Sequence, residues 1–336
     1  MTESLHTHTT LSDGKLTHRE LFTLAGSLDI SVLAFTDHDA VPSPETLREL
    51  ETFRGRKTKW IIGTEITADL PRELKPDTAA MHIIGLFVDP LNEALLLHCR
   101  RAQESRVKRM RGIVSNLQNL GFVITAEDCF EMSGGESVGR PHVVEALMKH
   151  PENTLVMEKI RLEMADEAAH DPAVQARYSR MMERGEAQYP YTLFLSPDAY
   201  RPGYVEHDYI PDLDQAVKVI RDAGGVAVIA HYFTIRSKMP LEVFDRLLAE
   251  KRIDGAEVIY GLRAYNKDDQ KLTQEQNTLK EIIARHGGIS AGGSDAHSRE
   301  DLEKYVSERW FSDESAGLTA NILATGRVDK KFSSIE

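Results

Sequence analysis

His6 and His8 are separated by one residue in Leu5-His6-Thr7-His8, a stretch that reads as strand. Side chains two apart on a strand leave the same face, so both imidazoles can reach one metal ion. Asp295 and His297 repeat that spacing in Ser294-Asp295-Ala296-His297. Between these pairs the chain offers Asp13 in the turn Ser12-Asp13-Gly14, His38 in Thr36-Asp37-His38-Asp39, Glu65 after Trp60–Thr64, His82 within Met81–Val88 and His231 after Val226–Ala230. Mixed imidazole and carboxylate ligation suits Zn²⁺, Mn²⁺ or Fe²⁺ and does not suit Ca²⁺. Six histidines, two aspartates and one glutamate are too many donors for one tetrahedral ion. They suit a cluster of three, or two ions with a loose third. Ions so held lower the pKa of bound water to about 7 and offset charge on the oxygens of an anionic ester.

Each residue has a plainer reading alone. His82 reads equally as a core histidine, Asp13 as a turn residue before glycine and Glu65 as a cap for the following loop. The argument rests on their conjunction, because chance rarely puts a histidine or carboxylate at almost every strand end.

Those strand ends come from an alternation of short apolar runs with helical patterns. Ile30–Phe35, Trp60–Thr64, Met81–Val88, Val226–Ala230, Gly255–Tyr260 and Ile289–Gly293 are short enough for buried strands. Residues 17–28, 44–54, 91–120, 212–223, 240–251 and 268–286 have helical spacing, with Ser43-Pro44 a cap followed by proline at the first helical position. Such alternation implies a parallel sheet. Polar residues past the ends of several strands suggest a barrel with its site on the C-terminal rim. With His6 and His8 on the first, about seven strands are expected. Residues 121–211 break the rhythm with charged helical stretches and a Tyr/Pro-rich segment.

Composition is that of an ordinary globular enzyme: 41% hydrophobic and 28% charged. No apolar run approaches the ~20 residues needed to span a membrane, and no signal peptide is read at the start. Two cysteines, Cys99 and Cys129, carry no metal or redox spacing and fit a reducing cytoplasm. The net charge of −12 argues against binding of duplex nucleic acid. It leaves open a small phosphorylated substrate, since bound cations invert the local sign.

With these residues in view, the chain resembles the polymerase and histidinol phosphatase (PHP) family. The likeness is to the phosphoesterase branch that includes nucleoside 3′,5′-bisphosphate phosphatases and 5′-to-3′ oligoribonucleotidases. The strings that carry it are Leu5–Gly14 (LHTHTTLSDG), Phe35–Asp39 (FTDHD), Gly63–Ile66 (GTEI), His82–Phe87 (HIIGLF), Gly139–Val143 (GRPHV), Gly224–His231 (GGVAVIAH) and Gly292–His297 (GGSDAH). The resemblance implies an α/β fold, a distorted seven-stranded (β/α)7 TIM-like barrel formed by 1–120 and 212–336, with 121–211 an inserted, mainly helical subdomain covering the substrate. It implies that His6, His8, Glu65 and Asp295 hold one ion. Glu65 bridges to a second with His82 and His231, and Asp13, His38 and His297 hold a third. Arg140 would clamp a phosphate oxygen through its planar fork, and His142 would contact substrate or protonate the leaving group. His207 is a second candidate acid.

The expected reaction is hydrolysis of a phosphate ester by hydroxide held between the first two ions. The first expectation is a phosphomonoester of a nucleotide-like substrate, of the 3′,5′-bisphosphate type. A phosphodiesterase acting on short RNA or a cyclic phosphate, and a non-catalytic metal-binding regulatory domain, are the alternatives. Ser4 where aspartate is common, Tyr232 where proline is common, the length of Pro71–Ala80 and the long segment 150–211 depart from the family pattern. His18, His98, His150, His170 and His286 read as surface residues. The run Arg100, Arg101, Arg106, Lys108, Arg109 and Arg111 reads first as a solvated helix face, second as a track for a substrate's other phosphates. Tyr189, Tyr191, Phe194, Tyr200, Tyr204 and Tyr209 read first as packing, second as a lid or base-stacking platform. Oligomeric state is not written in the sequence.

Overall fold

The computed structural model describes residues 1–71, 74, 80–134, 137–259 and 269–335. The chain divides into two compact units, Met1–Ala102 with Ile210–Glu336, and Gln103–Tyr209.

The first unit is built on seven strands in chain order: β1 (Thr2–Ser4), β2 (Ile30–Phe35), β3 (Lys59–Asp69), β4 (Ala80–Leu86), β5 (Val226–Ile229), β6 (Gly255–Ile259) and β7 (Ile289–Gly292). β1, β2 and β3 are mutually parallel, as are β5, β6 and β7. β4 runs antiparallel to both neighbours, pairing Glu65 with Ile84 on one side and Ile83 with Ile229 on the other. The expectation of an all-parallel sheet is therefore corrected to a mostly parallel one. An antiparallel partner also lets β3 run to Asp69, so Glu65 sits mid-strand rather than at a strand end. Past β1 the chain stays extended and pairs with the chain past β7. Leu5 N–H donates to the Gly292 carbonyl, Asp295 N–H to that of His6 and His8 N–H to that of Ala296, each at 3.0 Å.

Helices separate the strands, most opened by the caps their sequences carry. α1 (His18–Ser27) has the capping box Thr17/Glu20, and α2 (Pro44–Glu51) has Ser43 as cap and Pro44 in its first turn. α3 (Glu93–Asn119) is the long helix and continues past residue 103 into the second unit. There follow α4 (Ala126–Ser133), α5 (Arg140–Met148), α6 (Asn153–Ala168) and α7 (Pro172–Arg184). A single π-helical turn, Tyr191–Leu195, comes next. Back in the first unit are α8 (Leu213–Asp222), α9 (Tyr232–Ile235), α10 (Leu241–Ala249), α11 (Asp269–Arg285), α12 (Arg299–Ser307), α13 (Arg309–Glu314) and α14 (Leu318–Ala324). Tyr260 and residue 268, expected to end a strand and begin a helix, lie outside the described residues.

Each unit has its own apolar core. The first gathers Leu33, Phe35, Trp60, Ile62, Ile83, Val228, Phe244 and Phe311 around the sheet. The second packs Met110, Leu117, Phe122, Val143, Met164 and Phe194, with Tyr189, Tyr191 and Tyr200 against it. Several residues expected at the surface are buried. His18 contacts Phe35, and His98 lies beside Asp39, with Nε2 3.2 Å from Oδ1. Arg106 and Arg109 are buried as well, because their faces of α3 turn inward, while Arg100, Arg101, Lys108 and Arg111 remain exposed. His150 and His286 are half-buried beside Asp128 and Asp245, and His170 is exposed. Both cysteines are buried, and burial pushes the Cys129 thiol up to about 12. Among the described residues no helix is long and apolar enough to cross a membrane.

Candidate metal centre

All nine expected ligands lie in the first unit, and the fold brings them together around Glu65. Glu65 is buried in β3, paired by a bridge to His38 in the segment after β2. Its Oε1 lies 3.1 Å from His82 Nδ1, 3.3 Å from His231 Nε2 and 3.4 Å from His6 Nε2. Its Oε2 lies 2.9 Å from His38 Nδ1 and 3.4 Å from His8 Nε2. Among the described residues neither oxygen has a hydrogen-bond partner, and the same holds for Asp13 Oδ1 and His82 Nδ1, all buried atoms. Buried polar atoms without partners are costly. So many converging lone pairs are what a cation requires.

Three ligand sets can be distinguished. In the first, His6 Nε2, His8 Nε2 and Asp295 Oδ1 lie 3.1–3.2 Å from one another, with the Glu65 oxygens 3.4 Å from the two imidazoles. Ligands about 2.0–2.1 Å from a tetrahedral ion stand roughly 3.3–3.4 Å apart, so these separations suit a shared ion. In the second, Glu65, His82 and His231 converge, with His38 close to Glu65 as well. In the third, Asp13 Oδ1 lies 3.3 Å from His297 Nε2 and Asp13 Oδ2 lies 3.7 Å from His38 Nε2. His8 stacks on His297 at 4.2 Å, closing that group. His38 presents one ring nitrogen to Glu65 and the other to Asp13, between two sets. The residues therefore fit a cluster of divalent ions.

The charges are mutually adjusted. Burial would raise Glu65, but His38, His82 and His6 hold it well below the usual carboxylate range. Asp13 and Asp295 are likewise depressed, against burial, by His38 and His297 for Asp13 and by His6 and His8 for Asp295. Burial works against a proton on His297, yet Asp13 and Asp295 push it up to about 10. Burial itself lowers His8 and His82, favouring the neutral imidazoles that ligation needs.

Backbone strain accompanies the centre. His231 (φ 31°), Asp295 (φ 51°) and Asp39 (φ 48°) adopt left-handed conformations that residues with a Cβ rarely occupy. They follow β5, β7 and β2 and turn the chain sharply where it leaves the sheet.

Supporting residues went unread in the sequence. Glu257, fully buried in β6, lies 3.2 Å from His6 Nδ1 and accepts the His231 backbone N–H at 2.6 Å. Its signal was available: one carboxylate inside the apolar run Gly255–Ile259. Asp37 accepts from Thr9 N–H (2.8 Å), Thr9 Oγ1 (2.8 Å) and Ser12 Oγ (2.6 Å), which shapes the loop bearing Asp13. Asp39 accepts from Thr67 N–H and Thr67 Oγ1 at 3.0 and 3.1 Å, tying the segment after β2 to β3. These two aspartates flank His38, a pattern visible in the string but without meaning until their partners are known.

Arg140, His142 and His207 belong to the second unit. Arg140 opens α5, donates to the Leu195 carbonyl at 3.2 Å, and packs over Tyr191 and Tyr204 at 5.7 and 6.0 Å. His142 is buried, and its Nδ1 accepts the Gly139 N–H at 3.0 Å, a local capping role. Arg109 lies over Tyr204 at 4.8 Å and donates to the Val205 carbonyl (2.7 Å) and to His207 Nε2 (2.8 Å). A guanidinium only donates, so His207 accepts through Nε2. Burial, with smaller contributions from Arg140 and Arg106, lowers Arg109 to about 10.

A parallel-rich sheet with histidines and carboxylates gathered at one place defines a class of metal-dependent hydrolase folds, and the comparisons give the family. The PHP domain profile matches residues 4–190. The chain belongs to the PHP domain family. It is 27% identical over 300 residues to a 3′,5′-nucleoside bisphosphate phosphatase of Chromobacterium violaceum, covering 88% of this chain and 86% of that protein. It is 27% identical over 296 residues to the 5′-3′ exoribonuclease Rnm of Salmonella typhimurium, with 87% and 84% covered. To a phosphoribosyl 1,2-cyclic phosphate 1,2-diphosphodiesterase of Eggerthella lenta it is 25% identical over 305 residues, with 89% and 95% covered. Among solved structures, a candidate metal-dependent phosphoesterase of Bifidobacterium adolescentis shares the fold with TM-score 0.63 at 24% identity, covering 88% of each chain.

Proposed function

We propose that this chain is a metal-dependent phosphoesterase, and that its substrate is a phosphomonoester of a nucleotide-like molecule of the 3′,5′-bisphosphate type. The observation that carries the reading is Glu65. Among the described residues this buried carboxylate has no hydrogen-bond partner, and it faces nitrogens of His6, His8, His38, His82 and His231 within 3.4 Å. The segments after β1 and β7 hydrogen-bond to each other, which supports reading the sheet as a distorted seven-stranded barrel. The residues of 121–211 would form the substrate-covering insertion.

His6, His8, Glu65 and Asp295 would hold one ion, Glu65, His82 and His231 a second, and Asp13, His38 and His297 a third. When bound, such ions supply hydroxide at neutral pH and offset charge on phosphoryl oxygens. Mn²⁺, Zn²⁺ or Fe²⁺ fits the donor set. Glu257 would accept a hydrogen bond from His6 Nδ1–H, which leaves Nε2 free to ligate. Arg140, packed over Tyr191 and Tyr204, would grip a phosphate oxygen with its planar fork. His142 and His207 remain the candidates to protonate the leaving oxygen, with His207 presenting its Nδ1 proton because Arg109 occupies Nε2.

A diesterase reading has its own support. Four relatives bear exoribonuclease or diphosphodiesterase names, and hydroxide and charge offset from bound ions would serve either reaction. The test has two parts. Asp13→Ala, Glu65→Ala and Asp295→Ala, each checked for folding by circular dichroism, should lose hydrolysis of p-nitrophenyl phosphate in Mn²⁺. Full turnover in all three would sink the mechanism. A panel of bisphosphate nucleotides, short oligoribonucleotides, cyclic phosphates and histidinol phosphate then separates mono- from diesterase.

A further inference from the structure

α7 in the second unit carries three arginines, Arg177, Arg180 and Arg184, at spacings of three and four residues, which places them on one helical face. Like charges so spaced destabilise a helix, and neighbouring acids usually relieve them. Here they do not. Among the described residues none of the three pairs with a carboxylate, and Glu183, the one acid of α7, pairs with none of them. Arg177 donates to the Asp198 carbonyl.

The three guanidinium groups line a cavity of about 310 Å³. Met181, Gln188, Tyr191, Thr192, Ser196 and Asp198 complete its lining, three of them bearing hydroxyls and Asp198 the one acid among them. Tyr191 and Thr192 belong to the π-helical turn Tyr191–Leu195, a feature that recurs at functional sites. The same turn positions Arg140: its Leu195 carbonyl accepts from the Arg140 guanidinium, and the Tyr191 ring lies beneath it. A concentration of positive charge in a chain of net charge −12, facing hydroxyls and an aromatic ring, suits phosphates joined to stacking bases.

We infer that this arginine cavity is a subsite for the distal phosphates of a single-stranded oligonucleotide whose terminal phosphate is held by Arg140. The inference rests on the phosphoesterase reading and, between its two substrate forms, sides with the short oligonucleotide over the single nucleotide. A small monophosphate has one phosphate for two places, so the subsite would discriminate by the number of phosphates.

The decisive comparison uses the full Mn²⁺-loaded chain and the double variant Arg180→Gln/Arg184→Gln. The ratio of kcat/KM for a short oligoribonucleotide to kcat/KM for p-nitrophenyl phosphate should fall at least tenfold, with the change in KM. The slope of log(kcat/KM) against log salt should flatten by about 1.4, from roughly 0.7 per phosphate contact removed on a single strand. Arg180→Lys/Arg184→Lys should retain most of that slope. Binding of a fluorescein-labelled phosphorothioate oligoribonucleotide, read by anisotropy, gives an arm independent of turnover. If wild type hydrolyses nothing, the phosphoesterase reading fails while arginine-dependent binding still decides the subsite. An unchanged ratio, binding indifferent to the double variant, or equal competition by polyglutamate would overturn the inference.

Discussion

His6 gives its two ring nitrogens to different neighbours, Nδ1 to Glu257 and Nε2 to the cluster around Asp295 and Glu65. The carboxylate sets the tautomer, and tautomer decides whether an imidazole can ligate. Glu257→Gln keeps the shape but removes the charge that orders His6. Mn²⁺ affinity, measured by titration calorimetry, should weaken about 10- to 100-fold, with activity restored by excess Mn²⁺. An unchanged affinity would make Glu257 mere core polarity. At this scale the convergence of the candidate residues was legible, because histidines and carboxylates at i, i+2 spacing share a strand face. Glu257 was not, since one acid in an apolar strand acquires a role only when β1 is brought beside it. His18 and His98 were misread for the same reason: their burial depends on Asp37 and Asp39, supplied from another part of the chain.

The elements were read with uneven success, and the differences have causes. Helix starts at Thr17, Ser43 and Asp212 were legible because capping is local chemistry. The direction of β4 was not, because a buried strand has the same apolar run whichever way it points. Close approach between elements is equally silent in sequence until a glycine marks it. A Cβ on Gly293 would lie 2.4 Å from His6 N and 2.5 Å from His6 Cβ, both held by the strand-like pairing past β1 and β7. Gly293→Ala should therefore cost about 1–3 kcal/mol, the usual range for overpacking, and displace His6. Urea unfolding would read the first effect and metal content of the purified protein the second. A variant as stable and as metal-rich as wild type would show that the two segments can part freely.

For the molecule as a whole, the cluster couples stability to pH, with opposite signs with and without ions. Without metal, the raised histidines His6, His231 and His297 contribute stability that is complete below about pH 6.5; it is lost as pH rises through their folded values, about 10 for His297. The depressed Asp13, Glu65 and Asp295 contribute stability that is present above about pH 4 and lost only as pH falls through their folded values. Ligation requires the histidines neutral and displaces those protons. The rise in Tm given by Mn²⁺ over EDTA should thus grow as pH is raised from about 6 to 8. Scanning calorimetry at several pH values would check it, and a constant or shrinking increment would contradict it. The left-handed residues Asp39, His231 and Asp295 add a further consequence. Each such conformation costs roughly 1–2 kcal/mol and persists only while its surroundings insist on it. Warming loosens those surroundings before it melts the sheet, so the pocket should relax while the rest of the protein is still intact. Turnover should then fade, reversibly, some degrees below the calorimetric transition, and the organism that carries this protein would meet a ceiling set by its chemistry earlier than one set by its fold.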